Sequence, residues 1–341
     1  MKISIVIAIY NGSAFIEKAL ESCHHFDCVS EIVIVDDGSQ DDSYKKSLSL
    51  RKEYHKIKVF QHENVVNKGA GASWNLGIQK AQNEWIAILG VDDVFLPNRF
   101  DKELKLYNSK INFDGVYGSM GVYYFSETGK EKFKSIFNNE TTTVSKIIKP
   151  EKLKYTLLQM SKSSHGYFSL NSLTVKKELL LKVGLLNEKL RLHQDTDLIV
   201  KLSCMGTLIS GNITEAISLR GVHDNNRITS SALGFNSRLL MYEEMYKWAK
   251  ENVKDQKILT KLKTDVETYW FLERNKTYSI FKAFTFVKHR NYIFYSERHF
   301  NLLIKNSNSN KRLKTFIIRL KEKIILSFFK EKQTKYSLFV D

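Results

Sequence analysis

The chain has 341 residues and a formal net charge of +16 at pH 7, which allows a sizeable core and, at roughly 150 residues per domain, about two domains. No run approaches the ~18 consecutive apolar residues of a membrane-spanning helix, the first ten residues do not read as a secretory signal, and Cys23, Cys28 and Cys204 have no metal-ligand spacing. These features point away from a membrane-embedded protein, a disulfide scaffold or a cysteine metal site, and toward a cytoplasmic protein with reduced thiols.

In chain order, residues 3–9 form a short apolar run that reads as a buried strand and ends at Tyr10-Asn11-Gly12. Residues 14–23 are amphipathic and predict a helix. Residues 32–35 give a second strand, running into Asp36-Asp37-Gly38-Ser39, and residues 43–54 a second helix. A third helix is expected over 71–80. Residues 85–89 are again apolar and stop at Gly90-Val91-Asp92-Asp93, after which 98–107 predicts a fourth helix. Short apolar runs alternating with longer amphipathic segments imply an α/β fold with a mostly parallel central sheet. In such a sheet the ligand sits outside the carboxyl ends of the strands, so the three polar strand ends should line one crevice.

Residues 126–149 are polar, rich in Thr and Lys and without clear periodicity, and read as a loop or small excursion over that crevice. A strand is expected over 168–175, a helix over 176–183, and a further helix opening at His193-Gln194-Asp195-Thr196-Asp197 and reaching about Met205. A strand pair follows over 208–217. Beyond Gly234 glycine disappears and Lys-rich, aromatic helical periodicity takes over, which places a domain boundary between 1–234 and a basic, mainly helical 235–341. From Asn236 onward 23 Lys and Arg face 11 Asp and Glu, so the basic surplus is mainly a property of this region.

Two adjacent carboxylates just past a buried strand need solvent, a cation or a metal ion, because an unpaired buried charge is very costly. The Asp36 to Ser39 stretch alone would suit a tight turn followed by a helix cap. A carboxylate can also accept the N–H of a uracil ring or a ribose hydroxyl, and a tyrosine can cover a base. Hard oxygen ligands suit Mg²⁺ or Mn²⁺ on a diphosphate. Polar groups at three strand ends together favour this second reading.

The ordered set of stretches resembles glycosyltransferase family 2, a group of GT-A-fold enzymes that use nucleotide sugars. It comprises Ser4 through Asn11, Glu31 through Ser39, Asn67-Lys68-Gly69 through Asn75-Leu76-Gly77, and Leu89-Gly90-Val91-Asp92-Asp93, with Gln194-Asp195 resembling the family's Glu-Asp pair. The resemblance implies an inverting, metal-dependent transfer of a sugar, most simply from a UDP-sugar, to a hydroxyl of a saccharide or lipid-linked acceptor in surface polysaccharide assembly. It implies donor-binding roles for Ala8, Tyr10, Asp37, Asn67, Gly69, Asn75, Asp92 and Arg227, a Mg²⁺ or Mn²⁺ cofactor on Asp93 and His223, and Asp195 as general base. Helix capping is the competing role for Asp195. Three positions depart from the family pattern: Gly90 replaces a further acid, Trp74 an arginine, and Gln194 a glutamate.

Two other classes remain for comparison. A sugar-nucleotide pyrophosphorylase would carry a Gly-rich basic loop after the first strand, where this chain has Tyr10-Asn11-Gly12-Ser13. A basic nucleic-acid-binding protein would need a recognition module with interleaved exposed aromatics, and no such module is found. Nucleic acid is therefore not the expected partner. Residues 311–330 carry Leu313, Phe316, Ile317, Leu320 and Ile324 at helical spacing among Lys and Arg, a stripe suited either to packing or to an anionic membrane surface. The latter would make the protein peripheral at the inner face of the cytoplasmic membrane.

Overall fold

The computed structural model describes residues 1–136, 140–160, 166–224 and 235–274. Strands β1 (Ile3–Ile9), β2 (Val29–Asp36), β3 (Ile57–Gln61) and β4 (Trp85–Gly90) are mutually parallel. β5 (Val94–Phe95) follows directly, then β6 (Gly115–Tyr117) and β7 (Ser119–Tyr124). β8 (Leu173–Lys176) enters antiparallel between β4 and β6, and β9 (Leu208–Ser210) closes the far edge. The resulting seven-stranded sheet has the order β3-β2-β1-β4-β8-β6-β9, and β10 (Ala216–Val222) joins β5 and β7 in a second sheet.

β1 reads as a continuous apolar run because both of its faces are covered. Ile3, Ile5, Ile7 and Ile9 pack with residues of α1 (Ile16–Glu21), α2 (Ser43–Leu50) and Leu106, which follows from the period of two along a strand. Val6, Val33, Val35 and Ile88 join a second cluster, with α3 (Ala70–Lys80) on the opposite face. Burying each such side chain contributes roughly 1.5–3 kcal/mol. Leu106 belongs to α4 (Asp101–Asn108), just after the fully buried Arg99. Arg99 donates to Glu103 at 2.7 Å, to Thr174 at 3.1 Å and to the Leu173 carbonyl at 3.0 Å, so its charge is paired and hydrogen-bonded between α4 and β8.

The polar stretch expected as a loop is in part helical: α5 spans Glu127–Ile136 and buries Phe133. A helix with a single buried aromatic shows little periodicity in sequence. α6 (Pro150–Leu157), α7 (Lys177–Lys182) and α8 (Gln194–Met205) cover the same face of the sheet as α3. α9 (Phe235–Asn252) and α10 (Gln256–Arg274) begin where the composition shifts, and Met241, Met245, Ala249, Ile258 and Leu262 bury into that core. The compact unit accordingly runs from Met1 to Trp270. Among the described residues no helix is long and apolar enough to cross a membrane. The stripe at 311–330 lies outside the described residues.

Candidate active site

The loops after β1, β2 and β3 are laced together by hydrogen bonds that cross between them. The Asp37 amide donates to the Ile9 carbonyl at 2.8 Å, the Asn11 amide to Ser39 Oγ at 3.0 Å, and the Gln40 amide to Asn11 Oδ1 at 2.8 Å. The Asp37 carboxylate is buried. It accepts from the amides of Lys68 (2.8 Å) and Gly69 (2.9 Å), and His62 Nε2 stands 3.6 Å away. Two carboxylate oxygens offer about four lone-pair sites, so acceptor capacity remains beside these amides. Tyr10 (47% exposed) and Asn67 lie at the open rim, and Ala8 is half-buried where β1 pairs with both Val35 and Gly90.

Asn75 has a different place from the rest of its stretch. It is buried in α3, where its amide donates to the Leu186 carbonyl and Glu188 at 2.9 Å and accepts from the Leu186 amide at 3.0 Å, stapling α3 to the segment before α8. Asn75→Ala should cost about 1–3 kcal/mol, because it strands buried backbone groups. Equilibrium urea unfolding measures this, and a change below about 0.5 kcal/mol would put the staple elsewhere.

At the end of β4 the two adjacent acids diverge. Asp93 is buried: its carboxyl accepts from Asn171 Nδ2 and from the Gly221 amide at 2.9 Å, while Asn171 Oδ1 accepts from the Gly90 amide at 3.0 Å. Burial, and then the neighbouring Asp92 carboxylate, push the Asp93 carboxyl up to about 7. A Cβ at position 90 would collide with Asp93 Oδ2, so glycine there allows the turn to fold inward. Asp92 is more exposed, and its Oδ2 lies 3.4 Å from His223 Nε2. Phe15 stacks on the His223 ring at 4.9 Å and Phe125 meets it edge-on. The end of β10 thus brings His223 to the end of β4.

Asp195 lies exposed in the first turn of α8 and accepts from the Thr196 amide at 2.8 Å. The N-cap is His193, in a left-handed conformation with φ 65° and no side-chain capping bond, so Asp195 is not the cap. Asp197 is buried against Lys201 at 2.6 Å, and burial raises its carboxyl. Trp74 is partly buried against the core. Arg227 lies outside the described residues. Sequence reading missed Asn171; the available signal was an amide inside an apolar run.

Among the described residues no three His, Cys, Asp or Glu side chains are grouped as metal ligands. The Asp92 carboxylate still fits a cation of the Mg²⁺ or Mn²⁺ type, because such ions are bound through one or two carboxylates and fill the shell with water and substrate phosphate, and His223 Nε2 lies 3.4 Å from it as a neighbouring nitrogen donor.

Residues 4–172 match the sequence profile of Glycosyl transferase family 2. An uncharacterized glycosyltransferase of Rickettsia felis is 30% identical over 203 residues, and one of Haemophilus influenzae 28% identical over 201 residues, covering 59% of this chain and 61% of that protein. The chain spans 31% of the length of the Rickettsia felis relative and 59% of its own residues align with it. An uncharacterized glycosyltransferase of Rickettsia prowazekii is 27% identical over 300 residues, 83% of this chain and 84% of its own length. The structure of S. aureus TarS residues 1–349 in complex with UDP-GlcNAc superposes with a TM-score of 0.58 at 15% identity, covering 92% of this chain and 83% of that one. At that identity the likeness shows the fold, which is GT-A.

Proposed function

The chain belongs to glycosyl transferase family 2 across residues 4–172, and on that premise we propose that it moves a sugar, with inversion, from a nucleotide sugar to a hydroxyl of a saccharide or lipid-linked acceptor. The observation that carries this reading is the Asp92–His223 pair at the carboxyl end of β4, beside the laced loops that hold Asp37. Tyr10 covers the base, Asp37 accepts a ring N–H, and Asn67 and the Gly69 turn shape the nucleoside pocket. Asp92 and His223 would hold a divalent cation, which would neutralise charge on the departing diphosphate. The carboxylate in that role is Asp92, because it is the more exposed of the two acids and faces His223, whereas Asp93 is buried and accepts from Asn171 and Gly221.

Asp195 takes the proton of the acceptor hydroxyl as its oxygen attacks the anomeric carbon. The bond from that carbon to the diphosphate oxygen breaks, and its electron pair leaves with the nucleoside diphosphate. UDP-GlcNAc is the first donor to try, because the TarS complex contains it. Surface polysaccharide or glycolipid assembly is the setting we propose for the acceptor, with the basic region toward an anionic leaflet. UDP with Mn²⁺ is expected to raise the melting temperature by several degrees, while RNA and DNA leave it unchanged. Stabilisation by nucleic acid with none from UDP would overturn the reading.

A further inference from the structure

The donor-loop glycines meet an arginine from a distant segment. Arg191 is exposed, yet one of its Nη1 hydrogens is donated to the Lys68 carbonyl at 3.0 Å. That carbonyl shares a peptide group with the Gly69 amide, which donates to Asp37 at 2.9 Å. The result is a continuous run from guanidinium through one peptide to a buried carboxylate. Hydrogen bonds in such a run polarise one another, so a cation on the carbonyl strengthens donation by the amide.

Two glycines make this contact possible. Gly69 has φ 93° and a Cβ there would collide with Arg191 Nη1, while a Cβ on Gly71 would lie 2.6 Å from Gln194 Nε2. Gln194 is itself tied back to the Leu190 carbonyl. The corner carrying Arg191 and Gln194 therefore seats directly on the start of α3, and Asp195 is the next residue along. The Asp37 carboxylate at the far end of this run also makes a fixed cation favourable here.

We infer that Arg191 is a positioning residue that locks the Lys68–Gly69 peptide onto Asp37 and so holds the nucleoside pocket in its binding shape. This rests on the proposed nucleotide-sugar reading. Because Arg191 acts through the nucleoside turn, its loss weakens uridine and UDP alike.

The test compares full-length wild type, Arg191→Ala and Arg191→Lys by calorimetric titration with uridine and with UDP plus Mn²⁺, alongside donor kinetics and melting temperature. Arg191→Ala should lose about tenfold in affinity for both ligands, the size of one charge-assisted hydrogen bond. The loss should fall on donor KM more than on kcat, and Arg191→Lys should recover most of it. Loss for UDP alone would overturn the inference by making Arg191 a phosphate contact. Unchanged affinities would overturn it too, as would a lowered melting temperature with normal affinity per folded molecule. If wild type binds neither uridine nor UDP, the functional reading itself fails, and that outcome is distinct from the others.

Discussion

Asp195→Asn should reduce sugar transfer by about 10²- to 10⁴-fold, the usual contribution of a positioned general base, while the protein still binds its nucleotide. The substitution keeps the size of the side chain and removes its ability to hold the acceptor proton. That loss amounts to about 3–5 kcal/mol of transition-state stabilisation. The folding cost should be small. Asp195 is exposed and His193 is the N-cap, so only an interaction with the helix N-terminus is lost, worth about 0.3–1 kcal/mol. Steady-state turnover, UDP titration and urea unfolding on the same preparation separate these effects. Normal turnover in a folded variant would place the base elsewhere.

The second large effect distinguishes the adjacent acids. Asp92→Asn should abolish Mn²⁺-dependent UDP binding, by more than about 100-fold, since even outer-shell partners of a metal cost about 10- to 100-fold. Asp93→Asn should behave differently. Its new amide would point a donor at the Asn171 amide, whose oxygen is already committed to the Gly90 amide. The expected result is a stability loss of about 1–3 kcal/mol with cation-dependent binding retained by the folded fraction. If Asp93→Asn instead loses Mn²⁺-dependent binding at unchanged stability, the cation belongs on Asp93.

The comparison of these two acids also shows what the sequence can and cannot say. Apolar runs bounded by Gly and Asp located β1, β2 and β4 and their polar ends, because strand burial and chain reversal leave local signals. Which acid turns inward depends on Asn171, 78 residues from Asp93, and no local pattern specifies so distant a partner. The settings of Arg99 and Asn75 were unreadable for the same reason: Arg99 also donates to Thr174 and Leu173, 75 and 74 residues away, and Asn75, given a donor-binding role by resemblance, is held by Leu186 and Glu188, 111 and 113 residues away. The composition shift after Gly234 located the start of α9. It could not reveal that Met241, Met245 and Ala249 pack into the catalytic unit's core, since composition reports the average surface and packing depends on one stripe.

The central claim, that Asp92, His223 and Asp195 serve transfer from a nucleotide sugar, is tested most directly by nucleoside diphosphate release. Wild type, Asp92→Asn and Asp195→Asn would each be incubated with Mn²⁺ and a panel of nucleotide sugars headed by UDP-GlcNAc, with water in place of the acceptor. Slow release of the diphosphate from at least one donor by wild type, and its loss in both variants, is the predicted result. Folded wild-type protein that releases nothing from any donor, or variants that release it as fast as wild type, would contradict the account.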